Sequence, residues 1–191
     1  MITPKEYRER LLAKYMPTFD IEVPYSVGGT IYPAYACFSS KSEKYVLVRQ
    51  ANLWTTDSHE HVLFLERERC GAEITEEVKR LVEQHMEPEM VRGGEKLPEK
   101  DHMISYLTVI VLLRETPDPD TVQAVRRFRF TRSYLFTLRG RAETHLILAD
   151  LGKEQIFTNR DAARHRKIYE DIFREVHQGL PGYSDLLAKQ Q

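Results

Sequence analysis

Three polar side chains at alternating positions are the first candidates for metal chemistry. Asp57, His59 and His61 are two residues apart, so in a strand all three side chains lie on one face. Two imidazoles and a carboxylate are suitable ligands for zinc or another transition metal. However, one strand supplies at most three ligands, and the same residues also suit a polar loop that leads into a strand. We therefore predict neither a tight metal site nor a cofactor.

Two glutamates raise a second metal hypothesis. Glu66 and Glu68 follow a predicted strand, and the order of helix, strands, helix and strand resembles the core of PD-(D/E)xK nucleases. In that family an acidic strand residue and a Glu-x-Lys pair bind magnesium and position a water molecule. The resemblance implies Asp57, Glu66 and Glu68 as ligands. Position 68 is a glutamate where the family needs a lysine, so the motif is broken, and paired carboxylates are also common on solvated strand ends.

A basic segment dominates the second half of the chain. Residues 126–141 contain six arginines interleaved with aromatic residues and no acidic residue. The arginines are Arg126, Arg127, Arg129, Arg132, Arg139 and Arg141. Guanidinium groups beside aromatic rings bind phosphates and stack on bases, but the same alternation fits a strand with arginines in water and aromatic rings in the core. We take these arginines as a candidate site that binds anions weakly and nonspecifically.

More cations lie in the predicted C-terminal helix, where Arg160, Arg164, Arg166 and Lys167 precede two acidic residues. Together with the basic segment they would form a surface that neutralises phosphates. They would equally serve as partners for their acidic neighbours. The sequence leaves open whether the two groups share one face.

Cysteine chemistry is the weakest candidate. Cys70 precedes a predicted helix, whose N-terminus would lower the pKa of the thiol as nucleophilic catalysis requires. None of the seven histidines stands out as its partner, and a buried, inert cysteine fits the pattern better. Two cysteines without a CxxC spacing indicate a reduced compartment, so we expect a cytoplasmic protein.

The composition is that of an ordinary globular protein. The chain has 191 residues, of which 41% are hydrophobic and 30% charged, with a formal net charge of -1. This length suits one domain over residues 1–191. The longest nearly unbroken apolar run, residues 106–113, is far shorter than the roughly 20 residues of a membrane-spanning helix. We predict no membrane association.

The elements that position these residues follow from periodicity and turn signals. Residues 103–114 form the strongest strand pattern, because their unbroken apolar run is typical of a strand covered on both faces. Gly28 and Gly29 predict a hairpin, and Pro88 predicts either the end or a kink of a helix that starts at residue 73. Further strands are predicted over residues 19–27, 30–38, 45–49, 62–66, 130–138 and 142–151. With about four helices in all, the fold class is α+β with a mixed, mostly antiparallel sheet.

Several segments of the second half look like an uncharacterised family of bacterial proteins. They cover residues 102–108, 128–140, 146–151 and 158–159. The resemblance implies a bacterial cytoplasmic protein with the fold of that family. It implies no catalytic residue, activity or substrate.

Taken together, these patterns favour a binding or interaction module of unknown function, with a metal-dependent hydrolase as the alternative. Catalytic residues stay unknown, and the sequence does not decide whether the protein is an enzyme. The partners left open are a weakly bound anionic ligand, another protein, or a second copy of the chain.

Overall fold

Three long parallel strands form the centre of the structure, a computed structural model that describes residues 1–39 and 58–189. These strands are β5 (Ser58–Arg67), β6 (Ile104–Leu113) and β8 (Arg141–Asp150). Both parallel pairs are in register over ten residues. The prediction that residues 103–114 form the central strand is confirmed, since β6 lies between β5 and β8 and is buried along nearly its whole length.

Shorter strands extend the sheet by antiparallel pairing. Seven strands of the described residues form one mixed sheet in the order β1-β4-β5-β6-β8-β7, with β9 also paired to β8. A separate hairpin joins β2 and β3 through Gly28 and Gly29, as predicted. The short strands are β1 (Asp20–Glu22), β2 (Tyr25–Val27), β3 (Thr30–Tyr32), β4 (Tyr35–Ser39), β7 (Thr131–Ser133) and β9 (Gln155–Thr158). The strand predicted over residues 45–49 lies outside the described residues.

Helices cover both faces of the sheet. The helices are α1 (Pro4–Tyr15), α2 (Ile74–Leu81), a π-helix (Val82–Val91), α3 (Pro119–Arg127), a 3-10 turn (Ala163–His165), α4 (Arg166–His177) and α5 (Tyr183–Ala188). On the first face, α1 and α4 pack against alternate strand residues such as Phe64, Ile110 and Ile147. On the second face, α2, the π-helix and α3 pack against the intervening residues, such as Val111. The predicted α+β class with a mixed, mostly antiparallel sheet is confirmed.

Two element boundaries differ from prediction. The helix predicted to stop or kink at Pro88 does not stop there and continues as a π-helix to Val91. A proline lacks the N–H of a regular helical turn, and the wider π turn accommodates it. The strand predicted over residues 130–138 is wrong beyond Ser133, because Leu135, Phe136 and Thr137 all have positive φ and form a tight turn. Positive φ is incompatible with an extended strand.

Gly140 ends this turn, where a bend was predicted. Its φ is +73°, and a Cβ atom there would collide with the carbonyl group of Met103. Glycine is therefore the residue that lets the chain enter β8 beside the start of β6.

We expect Val111→Asp to unfold the protein. Val111 is fully buried in β6, so the change places an unpaired carboxylate between two helical layers, at a cost of several kcal/mol. Ile31→Asp in β3 is the matched control, since Ile31 is 74% exposed. Urea denaturation of the two variants checks the prediction, and a cooperative transition of Val111→Asp at the wild-type midpoint would contradict it.

Candidate functional site

Polar side chains lie in the amino-terminal halves of the three central strands of the buried sheet. Glu60 of β5, Tyr106 of β6 and Glu143 of β8 form one row across the sheet. In the next row toward the carboxyl ends, Thr108 lies beside His145. Because residues two apart in a strand face the same way, both rows belong to the first face. These five side chains form the polar cluster of that face.

Hydrogen bonds and ring stacking hold the polar cluster together. The Thr108 hydroxyl donates to Glu60 Oε1 at 2.5 Å. The His145 ring stacks on Tyr106 with their centroids 4.9 Å apart, and its Nε2 lies 3.4 Å from Glu143 Oε1. The 3-10 turn closes the cluster from above, because the Arg164 guanidinium lies 5.5 Å from the centre of the Tyr106 ring.

Burial shifts the pKa values of Glu60, in the cluster, and of His165, beside it. Desolvation raises the pKa of Glu60 to about 8, against the opposing effects of the Thr108 hydrogen bond and the Arg164 charge. Glu60 is therefore largely protonated near neutral pH. The pKa of His165 is lowered to about 4 by burial and by the neighbouring His145 and Arg164. Such perturbed groups in one cluster are a common mark of functional sites.

Sequence reasoning missed the polar cluster. The one available signal was Glu60, an acidic residue that alternates with Val62 and Phe64, the apolar first-face residues of the same strand. Its partners come from β6, β8 and the 3-10 turn, between 46 and 104 positions further along the chain. Only the register of the parallel strands brings them together.

The predicted histidines lie on the opposite, second face. His59 and His61 line a cavity of about 240 Å³ together with His102 and Ser105. His61 Nδ1 lies 2.7 Å from the Tyr35 hydroxyl, and burial lowers the pKa of His61 to about 3. His102 Nε2 is 2.9 Å from the Ser105 hydroxyl. His61 is thus a neutral imidazole that is hydrogen-bonded to Tyr35 of β4.

The structure describes only two of the three residues of the candidate metal site. His59 and His61 share a face, as alternation requires, but Asp57 lies outside the described residues. Within residues 1–39 and 58–189 no group of three histidine, cysteine, aspartate or glutamate side chains is arranged to hold a metal ion. The Asp57, His59 and His61 site therefore stays a prediction.

The nuclease-like glutamates lie at the other end of β5. The Glu66 carboxylate is paired with Arg8 of α1, and Glu68 Oε2 lies 3.5 Å from Arg114 Nε. Both are strand-end carboxylates with arginine partners, which is the structural role anticipated for them. Glu66 and Glu68 follow Glu60 by six and eight positions, and their arginine partners give the nuclease alternative no support.

Cys70 does not have the properties of a nucleophile. Burial raises the pKa of its thiol to about 11, and Glu73, Glu77 and Asp118 add to the effect. This is the opposite of the lowered pKa that a nucleophilic thiol requires. The expectation of an inert cysteine fits this environment.

The six arginines of the basic segment divide into two groups. Arg132 Nη1 is 3.0 Å from Glu87 Oε2, Arg139 donates to the Pro98 carbonyl at 3.2 Å, and Arg141 Nε is 3.4 Å from Glu143 Oε2. These three donate hydrogen bonds to protein acceptors. The other three, Arg126, Arg127 and Arg129, are exposed at the end of α3, and Arg129 Nε lies 3.9 Å from Asp161 Oδ2.

Glu87 explains why Arg132 is engaged. Its carboxylate is fully buried in the π-helix and also accepts hydrogen bonds from Arg92 Nε at 2.8 Å and the Tyr134 hydroxyl at 2.6 Å. A buried charge needs such partners, so this network fixes the π-helix to β7. Arg132 is a structural residue.

The exposed arginines meet the start of the C-terminal helical region. Arg126, Arg127 and Arg129 line a cavity of about 610 Å³ with Arg160 and Asp161. An adjoining cavity of about 300 Å³ is lined by Arg126, Arg160 and Arg166. We call these two cavities together the basic cleft. Half of the predicted anion site and part of the C-terminal cation group thus share one surface. Arg164 is not part of that surface, because it lies over Tyr106 of the polar cluster.

The fold and these sites define an α+β protein with a buried polar cluster and a separate basic cleft. No helix in the described part of the chain is long and apolar enough to cross a bilayer. A family model, Domain of unknown function (DUF8052), matches residues 3–171, and the chain belongs to this family. The expectation of an uncharacterised family is confirmed, and the match is not restricted to the second half. No curated protein and no solved structure matches the chain.

We predict that Glu60 makes the protein less stable as the pH rises. Its pKa is about 8 in the folded state and about 4.5 when exposed, so the free energy of unfolding falls between these pH values, by on the order of 1.4 kcal/mol per unit. Glu60→Gln removes this fall, because the amide does not ionise.

The measurement is urea denaturation of wild type and variant between about pH 4 and 9. Glu68→Gln is the control, since Glu68 is 67% exposed at the end of the same strand. Parallel pH profiles for wild type and Glu60→Gln would disprove the assignment.

For the histidines of β5 we expect no tightly bound metal. Protein purified without chelator should contain less than stoichiometric zinc, nickel or iron, because a fourth ligand is not evident in the sequence. Elemental analysis checks this. Stoichiometric metal that disappears in the His59→Ala, His61→Ala double variant would show that the prediction is wrong.

Proposed function

We propose that this protein is a binding module whose basic cleft holds a phosphate-bearing ligand. The observation that carries the proposal is the lining of the cleft, where five arginines face a single carboxylate. They are Arg126, Arg127, Arg129, Arg160 and Arg166, and the carboxylate is Asp161. In a chain of net charge -1, this is a local excess of positive charge.

The arginines of the cleft are available in different degrees. Arg166 Nε pairs with Glu170 at 2.6 Å, and Arg129 Nε lies 3.9 Å from Asp161. Arg126 and Arg160 line both cavities, and no hydrogen bond or ion pair engages their guanidinium groups within the described residues. These two are the central anion-binding groups of the proposal.

The chemistry and size of the cleft favour phosphate over a simple halide or a single carboxylate. Arginine presents a planar fork of donors that matches phosphate oxygens bidentately. The cavities have volumes of about 610 and 300 Å³, which suits a ligand with several phosphate groups or a nucleotide. Binding of this kind is electrostatic and weakens as salt neutralises the arginines.

The alternative function, a metal-dependent hydrolase, has no comparable structural support. Its candidate ligands Glu66 and Glu68 have arginine partners at the far end of β5.

We further propose that residues 1–191 form one domain.

We expect Arg126→Gln with Arg160→Gln to weaken binding of inorganic tripolyphosphate by about tenfold or more, since each lost charge-assisted contact contributes about 1 kcal/mol or more. Calorimetry at about 150 mM salt is the measurement, with a labelled single-stranded DNA as a second probe. For DNA we expect a Kd of roughly 10⁻⁴ to 10⁻⁶ M.

The control is Arg114→Gln with Arg174→Gln, which removes the same charge from two exposed arginines outside the cleft. Equal weakening by both pairs would mean that only net charge matters and would refute the site. Nanomolar binding of DNA would instead make nucleic-acid recognition the function.

A further inference from the structure

We infer that the phosphate-bearing ligand of the basic cleft is a nucleotide, and that its base occupies the smaller of the two cavities. This inference deepens the proposed function and rests on it. The larger cavity, of about 610 Å³, is lined mainly by arginines. The smaller one, of about 300 Å³, also has an aromatic ring and a strand edge in its wall, and the two cavities adjoin at Arg126 and Arg160.

The smaller cavity lies against the outer edge of β9. This strand pairs with β8 in antiparallel register, and no other strand in the described part of the chain pairs with it. The Asn159 N–H donates to the Leu146 carbonyl at 3.0 Å. Because hydrogen-bonded and non-bonded pairs alternate along an antiparallel ladder, Thr158 turns its own N–H and C=O away from β8. Thr158 is partly exposed and lines the cavity, so the strand edge presents a donor and an acceptor there.

A nucleobase has the chemistry that this strand edge recognises. The common bases carry a hydrogen-bond donor beside an acceptor on their pairing edge, and the N–H and C=O of one strand residue complement such a pair. A phosphate group at neutral pH offers mainly acceptors, so it suits the arginines better than the Thr158 carbonyl. The two cavities therefore differ in the part of a nucleotide that each one fits.

Phe157 adds an aromatic surface to the smaller cavity. Its neighbour Ile156 is fully buried, whereas Phe157 is partly exposed and lines the cavity. Bases stack on aromatic side chains with little regard to their identity, because every base has a π-face. Ala163 of the 3-10 turn also lines the cavity, and its methyl group takes up little of the space that a base would need.

Asn159 holds the walls of the smaller cavity in place. Its Oδ1 accepts from the Leu146 N–H at 3.0 Å and from the Ala162 N–H at 3.3 Å, and its Nδ2 donates to the Thr144 carbonyl at 2.8 Å. The side chain is fully buried. The end of β9 and the start of the 3-10 turn are therefore fixed to β8, which makes the site preorganised for a ligand.

Arg126 and Arg160 connect the base to the phosphates. Both arginines line both cavities. A ligand whose base lies against Phe157 and Thr158 would place its phosphate groups beside these two guanidinium groups, with the other arginines of the larger cavity beyond them. Inorganic polyphosphate would use only the arginines, whereas a nucleotide uses the whole cleft.

The experiment compares ATP with inorganic tripolyphosphate by calorimetry at about 150 mM salt, without divalent metal ions. Both ligands are triphosphates, so the difference between their affinities measures the contribution of the nucleoside. In the wild type we expect ATP to bind about fivefold or more tightly than tripolyphosphate, the gain from one base–aromatic stack. Ala163→Leu fills the smaller cavity from an exposed position and should remove this gain, while tripolyphosphate binding stays unchanged.

Phe157→Leu should act in the same way, because leucine keeps the apolar packing and lacks the ring. If this variant is unstable, Ala163→Leu still decides the question, since it changes an exposed side chain. Ala188→Leu and Phe136→Leu are the matched controls, because both residues are exposed and lie outside the cleft.

ATP that binds no more tightly than tripolyphosphate, or equal weakening of both ligands by Ala163→Leu, would overturn the inference. Absence of tripolyphosphate binding would instead refute the basic cleft. The failure of the base site is therefore distinguishable from the failure of the proposed function.

Discussion

The parallel ladder of β5, β6 and β8 is the constraint on which the rest of the structure depends. Each strand is paired over ten residues and covered by helices on both faces, which favours apolar side chains along its length. Polar residues lie in the amino-terminal halves of the strands and at their carboxyl ends. The amino ends carry Glu60, Thr108 and His145 on one face and His59 and His61 on the other, which explains why both sets of unusual side chains lie at the same edge of the sheet.

Burial then gives similar residue types different chemistry. Glu60 is covered by α1 and α4 and has a raised pKa, whereas Glu87 is equally buried but surrounded by two arginines and a tyrosine hydroxyl. Glu87 is a charged group with a full set of partners and fixes the π-helix. Glu60 has one hydrogen bond and an unsatisfied oxygen. Glu60 is therefore the less fully hydrogen-bonded of the two buried carboxyl groups.

The surface arginines also differ in chemistry according to the partners around them. Around the turn at residues 134–140, Arg132 and Arg139 donate to acceptors on other segments of the chain, and Arg141 donates to Glu143 of its own strand, β8. Where α3 ends, Arg126, Arg127 and Arg129 face Arg160 across a cleft that contains one carboxylate. The proposed phosphate site therefore depends on α3 and the 3-10 turn lying side by side. The charge of the segment alone does not create it.

The sequence by itself determined the elements whose signal is local. The apolar run of β6 and the glycine turn between β2 and β3 were both predictable, because periodicity and φ preference act within a few residues. The same reasoning did not foresee the π-helix at Pro88, and it failed at Phe136. There a buried Glu87 network and a turn anchored by Tyr134 override the local pattern. Only the tertiary structure decided which polar groups meet: Glu60, Thr108, His145 and Arg164 are far apart in the chain, and strand register and helix packing, which local sequence does not encode, bring them to one face.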